Sequence, residues 1–152
     1  MAAILPTLWF TGMRPSDALA LRWSDVHWLD RRIWVRNVKT GQGRFVPLHP
    51  DLIEVLKGWR GLRFPALDER VFVVGQRNLR RDFSRLRKRA SMPDVTMYDF
   101  RRTFISMLRR AGVEVGIVKE LVGHKTSGTT DKHYTDCRPA HCAALEKFKR
   151  TA

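Results

Sequence analysis

Arg14, Lys39, Arg101, His124 and Tyr134 lie in well-separated segments of the chain, and together they carry the groups that transfer of a phosphodiester would use. Such a phosphodiester gathers negative charge on its equatorial oxygens. Guanidinium groups are planar, permanently charged and offer paired donors that match those oxygens, a part that suits Arg14 and Arg101. His124, directly after Val122 and Gly123, offers a further donor, and the glycine lets backbone come close to a ligand. A tyrosine hydroxyl has a free pKa of about 10 and is a weak nucleophile at neutral pH, so a reacting Tyr134 needs a cationic site to stabilise its phenolate. A departing alkoxide needs a proton, and Lys39, in the turn sequence KTGQG beside Gly41 and Gly43, is placed to give one. Taken singly, each of these residues also has an ordinary reading as surface charge, turn residue, helix end or packing aromatic.

The elements that must position them follow from apolar spacing and turn residues. Ile4, Leu5, Leu8 and Trp9 predict a short helix stopped by Gly12, and Pro15 opens a second helix carrying Leu19 and Leu21. Arg14 falls at their junction, where packing on both sides can aim a side chain. The runs VHWL, IWVRNV and RFVPL between Val26 and Pro47 predict a small antiparallel meander. Pro50 and Asp51 open a helix that runs to Gly61, and VFVV at Val71–Val74 reads as a further short strand. After Asn78, read as an N-cap, LRRDFSRLRKRA puts Leu79, Phe83 and Leu86 on one face with five Arg and one Lys around them. Such a helix suits the backbone of DNA through Arg80, Arg81 and Arg85, or is simply a solvated face. Thr96 caps a helix from Met97 towards Ala111, stopped by Gly112, and VEVGIVKELVG gives another ending near Gly123. Residues 126–134 and 139–149 are each expected to form one more. The fold class is therefore mainly α with a small antiparallel β-sheet (α+β), in one domain covering residues 1–152.

Composition points to the partner. Lys and Arg total 29 against 15 Asp and Glu, a formal charge of +14, so a polyanion such as nucleic acid is the leading partner. No apolar run approaches the roughly 18 residues of a membrane span, and the opening MAAILPTLWF lacks the pattern of a signal peptide, which implies a soluble, cytoplasmic, DNA-associated protein with no membrane partner. Cys137 and Cys142 are the only cysteines and are expected to be reduced.

TGMRPSDALALRWSDV, VKTGQGRFVPL, YDFRRTFISMLRRAG and ELVGH, followed ten residues later by Tyr134, resemble in order the signature segments of the tyrosine recombinase (phage integrase) family. The resemblance spans residues 4 to about 136. It implies the integrase catalytic-domain fold and strand cleavage and rejoining of double-stranded DNA through a covalent 3′-phosphotyrosine. Arg14 then corresponds to the family's first catalytic arginine, Lys39 to the hairpin lysine, Arg101 to the second arginine, His124 to the histidine of the LGH-like segment and Tyr134 to the nucleophile. Asp17, three after Arg14, stands where the family carries an acidic residue that supports the site. One position departs: Tyr98 stands three residues before Arg101, where the family most often has histidine. It shares a helix face with Arg101 and brings a hydroxyl, without the near-neutral pKa of an imidazole. Arg44, Arg102 and Lys125 join Arg80, Arg81 and Arg85 as expected DNA contacts.

The same resemblance implies no cofactor, neither metal nor ATP, since arginines supply the positive charge and the phosphotyrosine conserves the bond energy. It also implies homo-oligomers on DNA docked through the C-terminal segment RPAHCAALEKFK, although Leu145 and Phe148 equally suit packing on their own domain. Nothing in the sequence corresponds to the family's separate N-terminal DNA-clamping domain. Two other readings stand beside the recombinase: a DNA-binding remnant without turnover, and a type IB topoisomerase, which reseals the same strand. A zinc site at His133, Cys137, His141 and Cys142 is disfavoured because Pro139 interrupts the helix that would align it.

Overall fold

The computed structural model describes residues 1–36 and 43–123. Among them the elements run α1 (Ile4–Thr11), α2 (Pro15–Ala20), a 3-10 turn (Trp23–Asp25), β1 (Val26–His27), β2 (Arg32–Arg36), β3 (Gly43–Pro47), α3 (Pro50–Gly61), α4 (Gln76–Arg89), α5 (Met97–Arg110) and α6 (Val115–Val122). The mainly helical fold with one small antiparallel sheet is the one expected. No helix among the described residues is long and apolar enough to cross a membrane.

Helix α1 is apolar on nearly every side because it is central, packing on α2, α3 and α5. It ends at Gly12, whose left-handed φ of 60° suits glycine and whose N–H donates to the Leu8 carbonyl at 3.0 Å. Pro15 starts α2, where a missing N–H costs nothing. The strand order is β1-β2-β3, with Ile33 opposite Val46 and Val35 opposite Arg44. Residues directly opposite share a face, so Ile33, Val35 and Val46, all fully buried, define the core side. On the outer side Trp34 meets Phe45 edge-on with centroids 4.7 Å apart. β3 in turn contacts α6, and Leu121, Val122, Phe104 and Leu108 complete the core between α5 and α6.

Four local expectations are corrected. Residues Val71–Val74 form no strand. Arg70 makes a single bridge to Arg22, the Val71 N–H donates to the Leu21 carbonyl, and the Val71 carbonyl is taken by the Trp59 indole at 2.8 Å, so Val71 and Phe72 are buried by packing with a side chain in place of a ladder partner. The VHWL run contributes only Val26–His27 as strand. Asn78 is not an N-cap, for α4 begins a turn earlier with Gly75 as its cap and the Leu79 N–H bonded to the Gly75 carbonyl. Leu86 stays exposed, leaving Leu79 and Phe83 as the buried side of α4.

Helix α5, which carries the central arginine of the site, starts where Thr96 was expected to cap it. The Asp99 carboxylate accepts from the Thr96 N–H at 2.8 Å and from its hydroxyl at 2.6 Å. These two bonds, the hydroxyl's first, hold the Asp99 carboxyl below its usual range. A carboxyl whose folded pKa is depressed contributes stability above its unfolded pKa and loses it as pH falls through the folded value. Thr96→Ala is expected to cost about 1 kcal/mol at neutral pH, with the gap to the parent chain narrowing as pH falls through the carboxylate range. Thermal unfolding followed by circular dichroism across that range measures it, and a gap that does not change with pH would remove Asp99 from the cap.

Candidate active site

Arg101 is 6 % exposed, a rare state for an arginine, and its environment explains why it is tolerated. One turn into α5 it points under the ends of two other helices. Nη1 donates to the Gly12 carbonyl at 2.7 Å and Nη2 to the Val122 carbonyl at 2.5 Å. Gly12 ends α1 and Val122 is the last residue of α6, so both carbonyls belong to helix C-termini, where peptide dipoles present partial negative charge. One guanidinium thereby fixes the mutual placement of α1, α5 and α6.

Arg14 sits at the α1–α2 junction as expected, as the N-cap residue of α2. Its Nη1 is buried without a hydrogen-bond partner, 3.7 Å from Asp17 Oδ2, which is also buried and unbonded. Asp17 is 3 % exposed. Its carboxylate faces three cations, for it acts electrostatically on Arg44 and Arg101 as well as pairing with Arg14.

Arg44 is the residue whose position the sequence did not disclose by type. Expected among the DNA contacts, it lies on the core side of β3 opposite Val35, with Nε donating to the Leu121 carbonyl at 2.7 Å and Nη2 shielded and unbonded. Gly123 makes room for it: a Cβ there would fall 2.7 Å from Arg44 Nη1, and the residue's φ of 67° further favours glycine. The period-two alternation of β3 held the signal, since Arg44 is two residues from the buried Val46. Burial first, then the charge of Arg101, pushes the Arg44 pKa down to about 10. Arg101 is likewise pushed down to about 10, by burial first and Arg14 next. Both remain charged at neutral pH, so the described site is a convergence of three cations on one carboxylate with buried donors left open.

Tyr98 shares the Arg101 side of α5 closely enough for the two to interact electrostatically, yet it is 58 % exposed. It lines a cavity of about 250 Å³ between α2, α4 and α5 with Ser16, Arg80 and Arg87. The hydroxyl is thus available at the rim of the cluster.

The sequence profile described as the phage integrase family matches residues 1–141. The chain belongs to that family. It is 32% identical over 163 residues to a putative integrase/recombinase y4eF of Sinorhizobium fredii, a match covering 97% of this chain and 61% of that protein. The crystal structure of XerA recombinase matches with a TM-score of 0.72 at 26% identity, over 96% of this chain and 54% of the other. XerH site-specific recombinase, solved in a pre-cleavage complex with its difH substrate, matches with a TM-score of 0.67 at 25% identity, over 82% of this chain and 39% of the other. The chain spans about half the length of the curated relatives it matches. Its fold is that of tyrosine recombinase catalytic domains.

Of the positions that the integrase family resemblance assigns, Arg14, Asp17, Tyr98 and Arg101 fall together in one place. Lys39, His124, Lys125 and Tyr134 lie outside the described residues, as do the cysteines and the C-terminal segment. Arg80, Arg81 and Arg85 are exposed on α4, with Arg81 and Arg85 partly offset by Asp82. Arg102 is exposed on α5 and bonded to Asp99 at 3.5 Å.

Gly12 is the weak point of the cradle. A Cβ there would lie 2.5 Å from Phe104 Cδ1, and Phe104 is fully buried with little freedom to yield. Gly12→Ala is therefore expected to destabilise the domain by roughly 2 kcal/mol or more, through overpacking and the left-handed backbone, and to move the carbonyl that anchors Arg101. Chemical denaturation measures the loss; a change below about 0.5 kcal/mol would mean that α1 and α5 pack more loosely here than the close approach of Phe104 implies.

Proposed function

We propose that this chain is the catalytic domain of a site-specific DNA recombinase that breaks and rejoins strands through a covalent 3′-phosphotyrosine at Tyr134. The observation that carries the reading is the meeting of Arg14, whose Nη1 is shielded and unbonded, with the buried Arg101, held by Asp17 and two helix-terminal carbonyls. Such preorganised cations stabilise a phosphorane-like transition state without having to reorganise during the reaction. Family membership and the DNA-bound relative support the choice of a DNA phosphodiester as the substrate.

In the proposed reaction the Tyr134 oxygen gives up its proton to solvent and attacks the scissile phosphorus. The bond from phosphorus to the 5′ oxygen breaks, and that oxygen leaves as a hydroxyl with a proton from Lys39. Arg14, Arg101 and His124 neutralise the non-bridging oxygens, and Tyr98 adds a hydroxyl at the rim. A 5′-hydroxyl from a partner strand then attacks the phosphotyrosine and releases the tyrosine. Bond energy is conserved, so no ATP is required, and the guanidiniums supply the charge that a metal would otherwise bring. The exposed face of α4, with Arg80, Arg81 and Arg85, together with Arg102 and Lys125, follows the DNA backbone. Protomers assemble on DNA through the C-terminal segment, and the protein acts in the DNA-containing compartment.

A suicide duplex nicked near the cleavage position tests the chemistry. The parent chain is expected to form a covalent protein–DNA adduct on a denaturing gel, in chelator and without ATP. Tyr134→Phe forms none, and Arg101→Lys slows adduct formation by roughly 10²-fold or more, because a lysine cannot bridge two carbonyls and an anion. Salt-sensitive DNA binding with no adduct across a broad substrate pool would leave only a DNA-binding module. Plasmid relaxation without strand exchange would favour the topoisomerase reading. For the α4 face, replacing Arg80, Arg81 and Arg85 by Gln should flatten the dependence of log affinity on log salt by roughly 0.9 for each phosphate no longer neutralised. An unchanged slope would place the DNA elsewhere.

A further inference from the structure

The proposed chemistry uses two arginines, yet the structure draws a third in beside them, half-buried and with one guanidinium nitrogen shielded from solvent. Arg44 enters from β3, an element that contributes neither Arg14 nor Arg101, and its guanidinium has a divided set of donors. Nε is committed to the Leu121 carbonyl at 2.7 Å. Nη1 lies over Gly123, in space that any side chain there would fill. Nη2 is shielded from solvent and bonds to nothing. A strand position opposite Val35 would ordinarily hold an apolar residue, and a buried guanidinium with an open donor carries a desolvation cost that packing alone does not offset. The carboxylate that acts on it does not offset it either, because Asp17 is shared among three cations. The open donors of Arg14 and Arg44 therefore call for an anion with several acceptor oxygens.

We propose that Arg44 is a third guanidinium on the reacting phosphate, with Nε holding the end of α6 and Nη2 donating to a non-bridging oxygen. This deepens the proposed function and rests on it. The two uses of the side chain are coupled. By holding Leu121, Arg44 sets the C-terminus of α6, from which the chain passes through Gly123 to His124. The same side chain thus joins the backbone leading to His124 to the anion that His124 is proposed to meet. Arginine is required because lysine has one nitrogen and cannot serve both ends.

Inorganic phosphate is the first probe, titrated against the full chain and read by thermal unfolding and by phosphorus NMR linewidth. Phosphate is expected to bind the parent chain, about tenfold or more weakly when Arg44 is changed to Gln, and equally well when the exposed Arg110 at the end of α5 is changed to Gln. Should Arg44→Gln fail to fold, Arg44→Lys is judged by the same criterion, with a severalfold weakening expected. Phosphate binding that is unaltered by the Arg44 change, or absent from the parent chain, overturns the assignment.

The second probe is a suicide duplex with a methylphosphonate at the scissile position, which removes the charge of one non-bridging oxygen. The rate penalty of the Arg44 variant should shrink on that duplex relative to the ordinary one. An equal penalty on both would make Arg44 a structural strut alone. A parent chain that cleaves neither duplex but binds phosphate through Arg44 would defeat the proposed recombinase activity and leave the anion assignment standing.

Discussion

Burying the guanidinium of Arg101 constrains nearly everything around it. A cation removed from water must find acceptors inside the protein, and this one finds them in the carbonyls of Gly12 and Val122. Those carbonyls are available because they end helices and lack intrahelical partners. The geometry therefore requires α1 to stop at Gly12 and α6 at Val122, with both ends facing the first turns of α5. Gly12 meets the requirement with a left-handed φ and a missing side chain against Phe104. Gly123 meets it with a left-handed φ and a missing side chain against Arg44. Two helix stops that look interchangeable in the sequence thus have separate steric reasons.

Once Arg101 is fixed, the remaining charges are arranged in tension. Burial first, and then the charge of neighbouring arginines, raises the cost of keeping Arg44 and Arg101 charged: Arg101 acts on Arg44, and Arg14 acts on both. For an arginine whose folded pKa lies below its unfolded one, the cost to stability is fully present at neutral pH and is relieved only as pH rises through about 10 towards the unfolded value. No physiological change of pH relieves it. Under the proposed function a bound anion relieves it, and the stability that the fold forgoes at this place becomes selectivity for a group with several negatively charged oxygens. Asp17 limits the repulsion without neutralising it, which keeps the cluster positive.

Much of this was legible in the sequence. The α1–α2 junction, the meander, α3 from Pro50 to Gly61 and the Thr96 cap all followed from glycine, proline and apolar spacing, because each is decided by residues close in the chain. The fold class and the grouping of Arg14, Asp17 and Arg101 were legible through ordered motifs. What failed depended on distant partners. VFVV has strand composition, but its neighbours offered one bridge and an indole donor. Asn78 has cap chemistry, but packing of Leu79 and Phe83 carried α4 a turn further back. Arg44 was expected as a DNA contact by residue type alone, and the register of its strand, which puts it on the side of Val46, was not read. Charge suggested the outside and alternation the inside, and alternation prevailed because the Leu121 carbonyl was there to receive it.

The large positive charge of the chain is consequently two populations with different physics. The arginines of α4 are exposed, and under the proposed function they meet a polyanion through counterion release, an effect that is additive, salt-dependent and indifferent to which phosphate is met. Arg14, Arg44 and Arg101 have shielded donors, are little screened by salt, and are tied to backbone or carboxylate at fixed distances, so their charge acts locally. Composition cannot separate these populations, since both are arginine. Burial separates them, and under the proposed function it divides the work: the surface of α4 holds a long anion, and the junction of α1, α5, α6 and β3 handles a single phosphodiester.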